Sequence, residues 1–165
     1  MTPERKPGAK SRLMIAAVVT SLGLPVTGYA GMTKAEFNAE QERIEAEFEA
    51  AKLKCNTFGG NARDICLAEA RGSHRVARAE LEERRVPSSS RARYQLHIAK
   101  AEAEFDIATE ECDERTNGAK DACLAEARAA LARDKANARV DRRKRDRRAG
   151  DPGASWQHRT GMQRR

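Results

Sequence analysis

Four cysteines, Cys55, Cys66, Cys112 and Cys123, are the side chains of this protein best suited to chemistry. They form two pairs, with ten residues between the members of each. Each pair lies within a recurring phrase, CNTFGGNARDICLAEAR from Cys55 and CDERTNGAKDACLAEAR from Cys112, fifty-seven residues apart. Thiols so arranged can bind metal, exchange electrons or cross-link the chain. Zinc favours short spacings such as C-x2-C, with histidines close by, whereas His74, His97 and His158 are scattered. Redox-active thiols favour C-x-x-C. Cross-linking fits best, as Cys55–Cys66 and Cys112–Cys123. Four cysteines allow three pairings, and duplication favours pairing within each copy, because a unit must be stable before it is copied. Each bridge closes a loop of about a dozen residues, worth roughly 2–3 kcal/mol in the chain-entropy account.

The second chemical feature is basic. Residues 139–165 carry ten Lys and Arg against three acids, whereas residues 31–138 carry eighteen against twenty-one. An acidic body thus ends in a basic segment. Arg142, Arg143, Lys144, Arg145, Arg147 and Arg148 are the candidate anion-binding residues, since guanidinium groups pair with phosphates by charge and by bidentate hydrogen bonds. Trp156 is suited to a membrane interface.

These residues must be positioned by helices. Ala, Glu, Lys and Arg dominate the chain and are strong helix formers, while the scarcity of Leu, Ile, Val and Phe excludes a large core. Each copy reads as two helices. TKAE at 33–36 is a capping box. Phe37 and, seven residues on, Ile44, Phe48, Ala51 and Cys55 at steps of four and three then follow, as do Tyr94, Ile98, Ala101, Phe105, Ala108 and Cys112 at steps of four and three in the second copy. Such steps make a narrow helical seam. FGG and TNG interrupt the helices. Asn61 is suited to cap the next helix, with Asp64 favourable in its first turn, and Thr116 or Asn117 to do the same in the second copy. VPSSS separates the copies and offers Ser90 as a cap. The seams are rich in alanine and bury little area per turn, and Gly72 within a helix costs about 1 kcal/mol more. The first half of the basic segment can extend the fourth helix; after Ala149, GDPGAS reads as disordered.

Residues 1–30 resemble a secretory signal. Arg5, Lys6, Lys10 and Arg12 precede the apolar run LMIAAVVTSLGLPV, and Gly28 and Ala30 stand where a signal peptidase needs small residues. The run is shorter than the ~20 residues of a spanning helix. The mature chain is expected to start near Gly31, in a bacterial periplasm, an oxidising compartment that preserves disulfides. An uncleaved anchor is the competing reading.

Other constellations point to no reaction. The acidic runs EQERIEAEFEA and EECDE read as solvated helix faces with basic neighbours, rather than as a cation site. The serines at 88–90 lie in a linker without a nucleophile elbow. No cofactor or metal is implied, and the protein is expected not to be an enzyme.

The duplicated C-x10-C hairpin, the GNAR and NGAK turns and the CLAEAR phrases resemble a group of small exported helical proteins of proteobacteria, some loosely labelled as cell-envelope or TolA-like. The resemblance covers about residues 33–138 and implies a helical, exported protein. It carries over no functional residue.

The resulting expectation is an all-α fold: two tandem, disulfide-stapled antiparallel hairpins, at residues 31–87 and 88–140, with a basic, largely disordered tail at 141–165. The expected role is that of a non-catalytic periplasmic binding or scaffold protein, held to the envelope by its basic tail. The partners would be a protein or an anionic envelope component, lipid headgroups or lipopolysaccharide. Homo-oligomerisation is compatible with the sequence. Nucleic acid suits the arginines chemically, but an exported chain does not meet it. The runner-up is a stress or chaperone-like periplasmic protein that binds clients or ions.

Overall fold

A computed structural model describes residues 32–150, and the expected signal segment and the far end of the basic tail lie outside them. Four helices follow one another: α1 (Lys34–Cys55), α2 (Gly60–Arg85), α3 (Ser90–Cys112) and α4 (Asn117–Gly150). Each packs on its neighbours in chain order, and the most extensive pairing is α2 on α3, between the two hairpins. The hairpins therefore share one body and are not beads on a string.

Local chemistry explains the helix starts. The Thr33 hydroxyl accepts from the Glu36 N–H while the Glu36 carboxylate accepts from the Thr33 N–H, the expected capping box. Donation to that carboxylate from the Thr33 N–H, and then from the Thr33 hydroxyl, holds the Glu36 carboxyl below the usual glutamate range. The cap of α3 is Ser89, whose hydroxyl accepts from the Ala92 N–H; Ser90 is already the first helical residue and instead donates to Asp146 on α4.

The two hairpin turns are alike in one respect that sequence reading missed. Gly60 has φ of +56° and Asn117 has φ of +53°, and these residues are equivalent at the offset of fifty-seven. Both copies need one left-handed residue as the chain enters the returning helix, and glycine and asparagine tolerate it best. Asn117 thus supplies a backbone conformation. Asn61 is not a cap either: Gly59 occupies that position in α2 and makes no side-chain cap bond, and Asp64 lies beyond the first turn.

The predicted seams are correctly placed. Ile44, Cys55, Ala101 and Cys112 are buried, and Phe37, Phe48, Ala51, Tyr94, Ile98, Phe105 and Ala108 are partly so. The buried apolar set consists mainly of alanines, with Ile44 and Leu81 the only bulky aliphatic members among the described residues. Helix α3 also buries Ala99 and Ala103. Ala103 faces α2, because an inner helix has two neighbours and needs two small-residue faces.

Gly72 is where that second face matters. A Cβ at this position would lie 2.9 Å from the Ala103 Cβ and 3.4 Å from its Cα. The glycine that weakens an isolated helix here lets two helices approach.

The basic segment does extend the fourth helix through its first half. Helix α4 reaches Gly150, ten residues past the boundary drawn for the second hairpin. Arginine and lysine favour helix, Lys144–Asp141 and Arg142–Asp146 pair at i,i+3 and i,i+4 spacing, and α3 supplies contacts along this stretch. Residues 141–150 therefore belong to α4.

Candidate anion-binding end

The two ends of this body are chemically different. At the closed end, the disulfides join Cys55 to Cys66 and Cys112 to Cys123, with Cα separations of 5.5 and 5.7 Å. Both predicted pairings are present and no cysteine is free. Cys55 and Cys112 are almost completely buried, so they act as packing and staple together.

At the open end, the start of α1, the end of α2, the start of α3 and the end of α4 come together. The ties that establish this are Arg84 to Glu40 at 2.8 Å between α2 and α1, Arg93 to Glu83 at 2.6 Å between α3 and α2, and Ser90 to Asp146 between α3 and α4. All six predicted anion-binding residues lie on the last turns of α4 and are exposed. They are not equivalent. The Arg142 guanidinium sits over the Tyr94 ring at 5.4 Å and lies 3.7 Å from Asp146. Lys144 lies 3.9 Å from Asp141. Arg143, Arg145, Arg147 and Arg148 have no carboxylate within 4 Å among the described residues, and neither does Arg139 one turn earlier.

Sequence reading missed two members of this group. Lys34 on α1 and Arg91 on α3 are exposed at the same end and also lack a carboxylate within 4 Å among the described residues. They are isolated in the sequence and join the group only through the antiparallel packing. In segments 34–37, 82–93 and 142–150, eleven bases face four acids. In the closed-end segments 52–66 and 108–123, five bases face six acids. The body therefore has one strongly positive pole.

A second feature is a groove of about 320 Å³ between α1 and α2, lined by Phe48, Cys55, Cys66, Ala70, Ser73 and His74 among others. The His74 ring stacks on Phe48 at 4.5 Å. Its Nε2 lies 3.0 Å from Glu45 Oε1 but out of hydrogen-bonding alignment, which leaves a buried nitrogen unpartnered. His74 is thus chiefly a packing residue. The acidic runs are largely engaged: Glu40 and Glu47 with Arg43, Glu49 with Lys52 and Asp113 with Lys120. No cluster of three or more potential metal ligands occurs among the described residues, and no described helix is long and apolar enough to cross a membrane.

Comparison with protein-family models, curated proteins and solved structures gives no match to this chain. The functional reading rests on the geometry above.

Proposed function

We propose that this protein is a non-catalytic periplasmic scaffold that attaches to the cell envelope through the basic end of α4. The observation that carries the reading is the row of guanidinium groups at Arg143, Arg145, Arg147 and Arg148. They are exposed on the end of α4 and have no carboxylate within 4 Å among the described residues. An arginine that no internal acid neutralises remains available to an external anion. Two bridged cysteine pairs fit an oxidising compartment, and the leader-like segment supports export. N-terminal sequencing of the protein from a periplasmic extract should begin at or near Gly31; an intact Met1 end in membranes would overturn export with cleavage.

The binding test is co-sedimentation with vesicles containing anionic phospholipid or lipopolysaccharide. Because residues 139–150 belong to α4, a truncation would also remove packed helix. Replacing Arg143, Arg145, Arg147 and Arg148 with Gln is the cleaner variant. The mature protein should bind and the variant should not, and raised salt should weaken binding. Equal binding by both would refute attachment through this helix end.

A client-holding role is the second reading, favoured by Leu53 and Phe58, which are 69% and 44% exposed near the closed end of the first hairpin. Suppression of aggregation of an unfolded protein, lost on replacing both with Ser, would favour it.

A further inference from the structure

The charge distribution points to a docking geometry beyond a basic tail. We infer that the whole open end of the body is the docking surface, that it meets an anionic phospholipid bilayer, and that the body stands end-on with its disulfides pointing away. The inference rests on the envelope-attachment reading and specifies how attachment occurs.

Three observations carry it. First, the bases at this end without a carboxylate within 4 Å among the described residues come from three helices: Lys34 from α1, Arg91 from α3, and Arg143, Arg145, Arg147 and Arg148 from α4. A flexible tail would not require bases on α1 and α3. Second, Val86, between α2 and α3, and Val140 on α4 are large apolar side chains exposed near the same end, at 41% and 39%. Apolar groups beside bases match the boundary between headgroups and acyl chains. Third, the charge is concentrated at one end of a long body. Helix α3 has 23 residues, so it spans about 35 Å. Electrostatic attraction decays over a Debye length of about 8 Å at physiological ionic strength. When the basic end touches an anionic surface, the closed end lies several such lengths away. Its near-balanced charge gives it no competing pull.

A bilayer is preferred over a small anion because the bases are spread across the ends of several helices and do not converge on one pocket. A planar array of headgroups satisfies dispersed, outward-pointing bases together, each contributing roughly fivefold to affinity.

The rival geometry lays α4 flat, since Arg128, Arg133 and Arg139 are also exposed along it. Lysine acetylation of the wild-type mature protein, free and bound to phosphatidylglycerol vesicles, separates the two. End-on docking should protect Lys34 and Lys144 several-fold and leave Lys54 and Lys120, at the closed end, unchanged. Flat docking would protect Lys120 with Lys144 and spare Lys34, and that result overturns the inference. As a second measurement, Lys34→Gln combined with Arg91→Gln should lower vesicle affinity by an order of magnitude or more while leaving the melting temperature unchanged. Unchanged affinity in that variant, with wild-type binding intact, refutes the shared surface but leaves attachment through α4 standing. If the wild-type protein does not bind the vesicles at all, both the geometry and the attachment reading fail.

Discussion

The two hairpins began as one sequence and now differ by face. Both keep what makes a hairpin: the bridge, the left-handed residue at Gly60 or Asn117, and a buried position at Ile44 or Ala101. They differ where the first returning helix meets its neighbour. Asn61 donates to the Glu110 carbonyl at 3.0 Å, Gly72 abuts Ala103, and Arg75 pairs with Asp106 at 2.8 Å. The equivalents in the second hairpin, Gly118, Ala129 and Ala132, are exposed. Helix α2 is covered on two sides and α4 on one. The copies preserve what folds each hairpin and diverge where α2 alone has a further partner.

This comparison is most severely tested at the shared feature. Replacing Cys55 and Cys66 with Ala should lower stability by about 3 kcal/mol, and replacing Cys112 and Cys123 should do nearly the same, because both loops have equal length. The alanine core offers little in compensation. Urea denaturation of the two variants would check this. A large loss from one pair and none from the other would mean that the hairpins are not equivalently stapled.

The next effect falls at a divergent position. Gly72→Ala gains about 1 kcal/mol of helix propensity but inserts a methyl 2.9 Å from the Ala103 Cβ, a contact that no rotamer can relieve. Overpacking of this kind costs about 1–3 kcal/mol, so a net loss of about 1 kcal/mol is expected. Adding Ala103→Gly should remove the clash, so that the double variant loses less stability than the sum of the single changes in a double-mutant cycle. At the equivalent Ala129, exchange with Gly should cost only the propensity term, with no coupling to α3. Thermal melts of this set measure whether close approach is confined to the α2–α3 interface.

The sequence carried the hairpins because they depend on local rules: caps, breaks, a three-four periodicity and duplicated cysteines. The α2–α3 interface was not legible. Periodicity marks a face that is buried but not the helix that buries it. Gly72 reads as a defect until Ala103 is placed against it, and Asn61 beside a turn reads as a cap although its partner lies forty-nine residues away. The candidate site divides in the same way. The arginines of α4 stand out as a run, whereas Lys34 and Arg91 acquire their place from topology alone. Helix continuation to Gly150 was only partly legible, since contacts from Tyr94 and Ser90 hold a segment whose composition also suits a disordered end.

A smaller effect is expected at Asn61. Asn61→Ala removes a tie between the first hairpin turn and the end of α3. The Glu110 carbonyl keeps the Asp113 N–H as a donor, so no acceptor is left bare and the loss should be about 0.5–1 kcal/mol. The converse change, Gly118→Asn, should add nothing, as that position is exposed. Hydrogen exchange of the last turn of α3 should register the first substitution and not the second.

The smallest effect concerns acid. Glu40 accepts from Arg43 within α1 and from Arg84 on α2, and these bonds, the Arg43 one foremost, lower its pKa to about 2. The equivalents of Glu40 and Arg84 in the second hairpin are His97 and Asp141, and no ion pair within 4 Å joins them among the described residues. A carboxyl whose folded pKa is depressed contributes stability that is full above its unfolded value, about 4.3, and is lost as pH falls from there through about 2. The α1–α2 pairing at the open end should therefore weaken over that window. Glu40 is partly exposed, so solvent screening keeps the effect on global stability small, and the titration itself is the better readout. In a carboxyl-carbon NMR titration, Glu40 should remain ionised to near pH 2. Arg84→Gln should raise its midpoint in part, because the larger Arg43 contribution stays, and adding Arg43→Gln should bring it to the ordinary glutamate range. A midpoint already ordinary in the wild-type protein would mean that Arg84 does not hold α1 to α2 in solution, and the open ends of the two hairpins would then be alike.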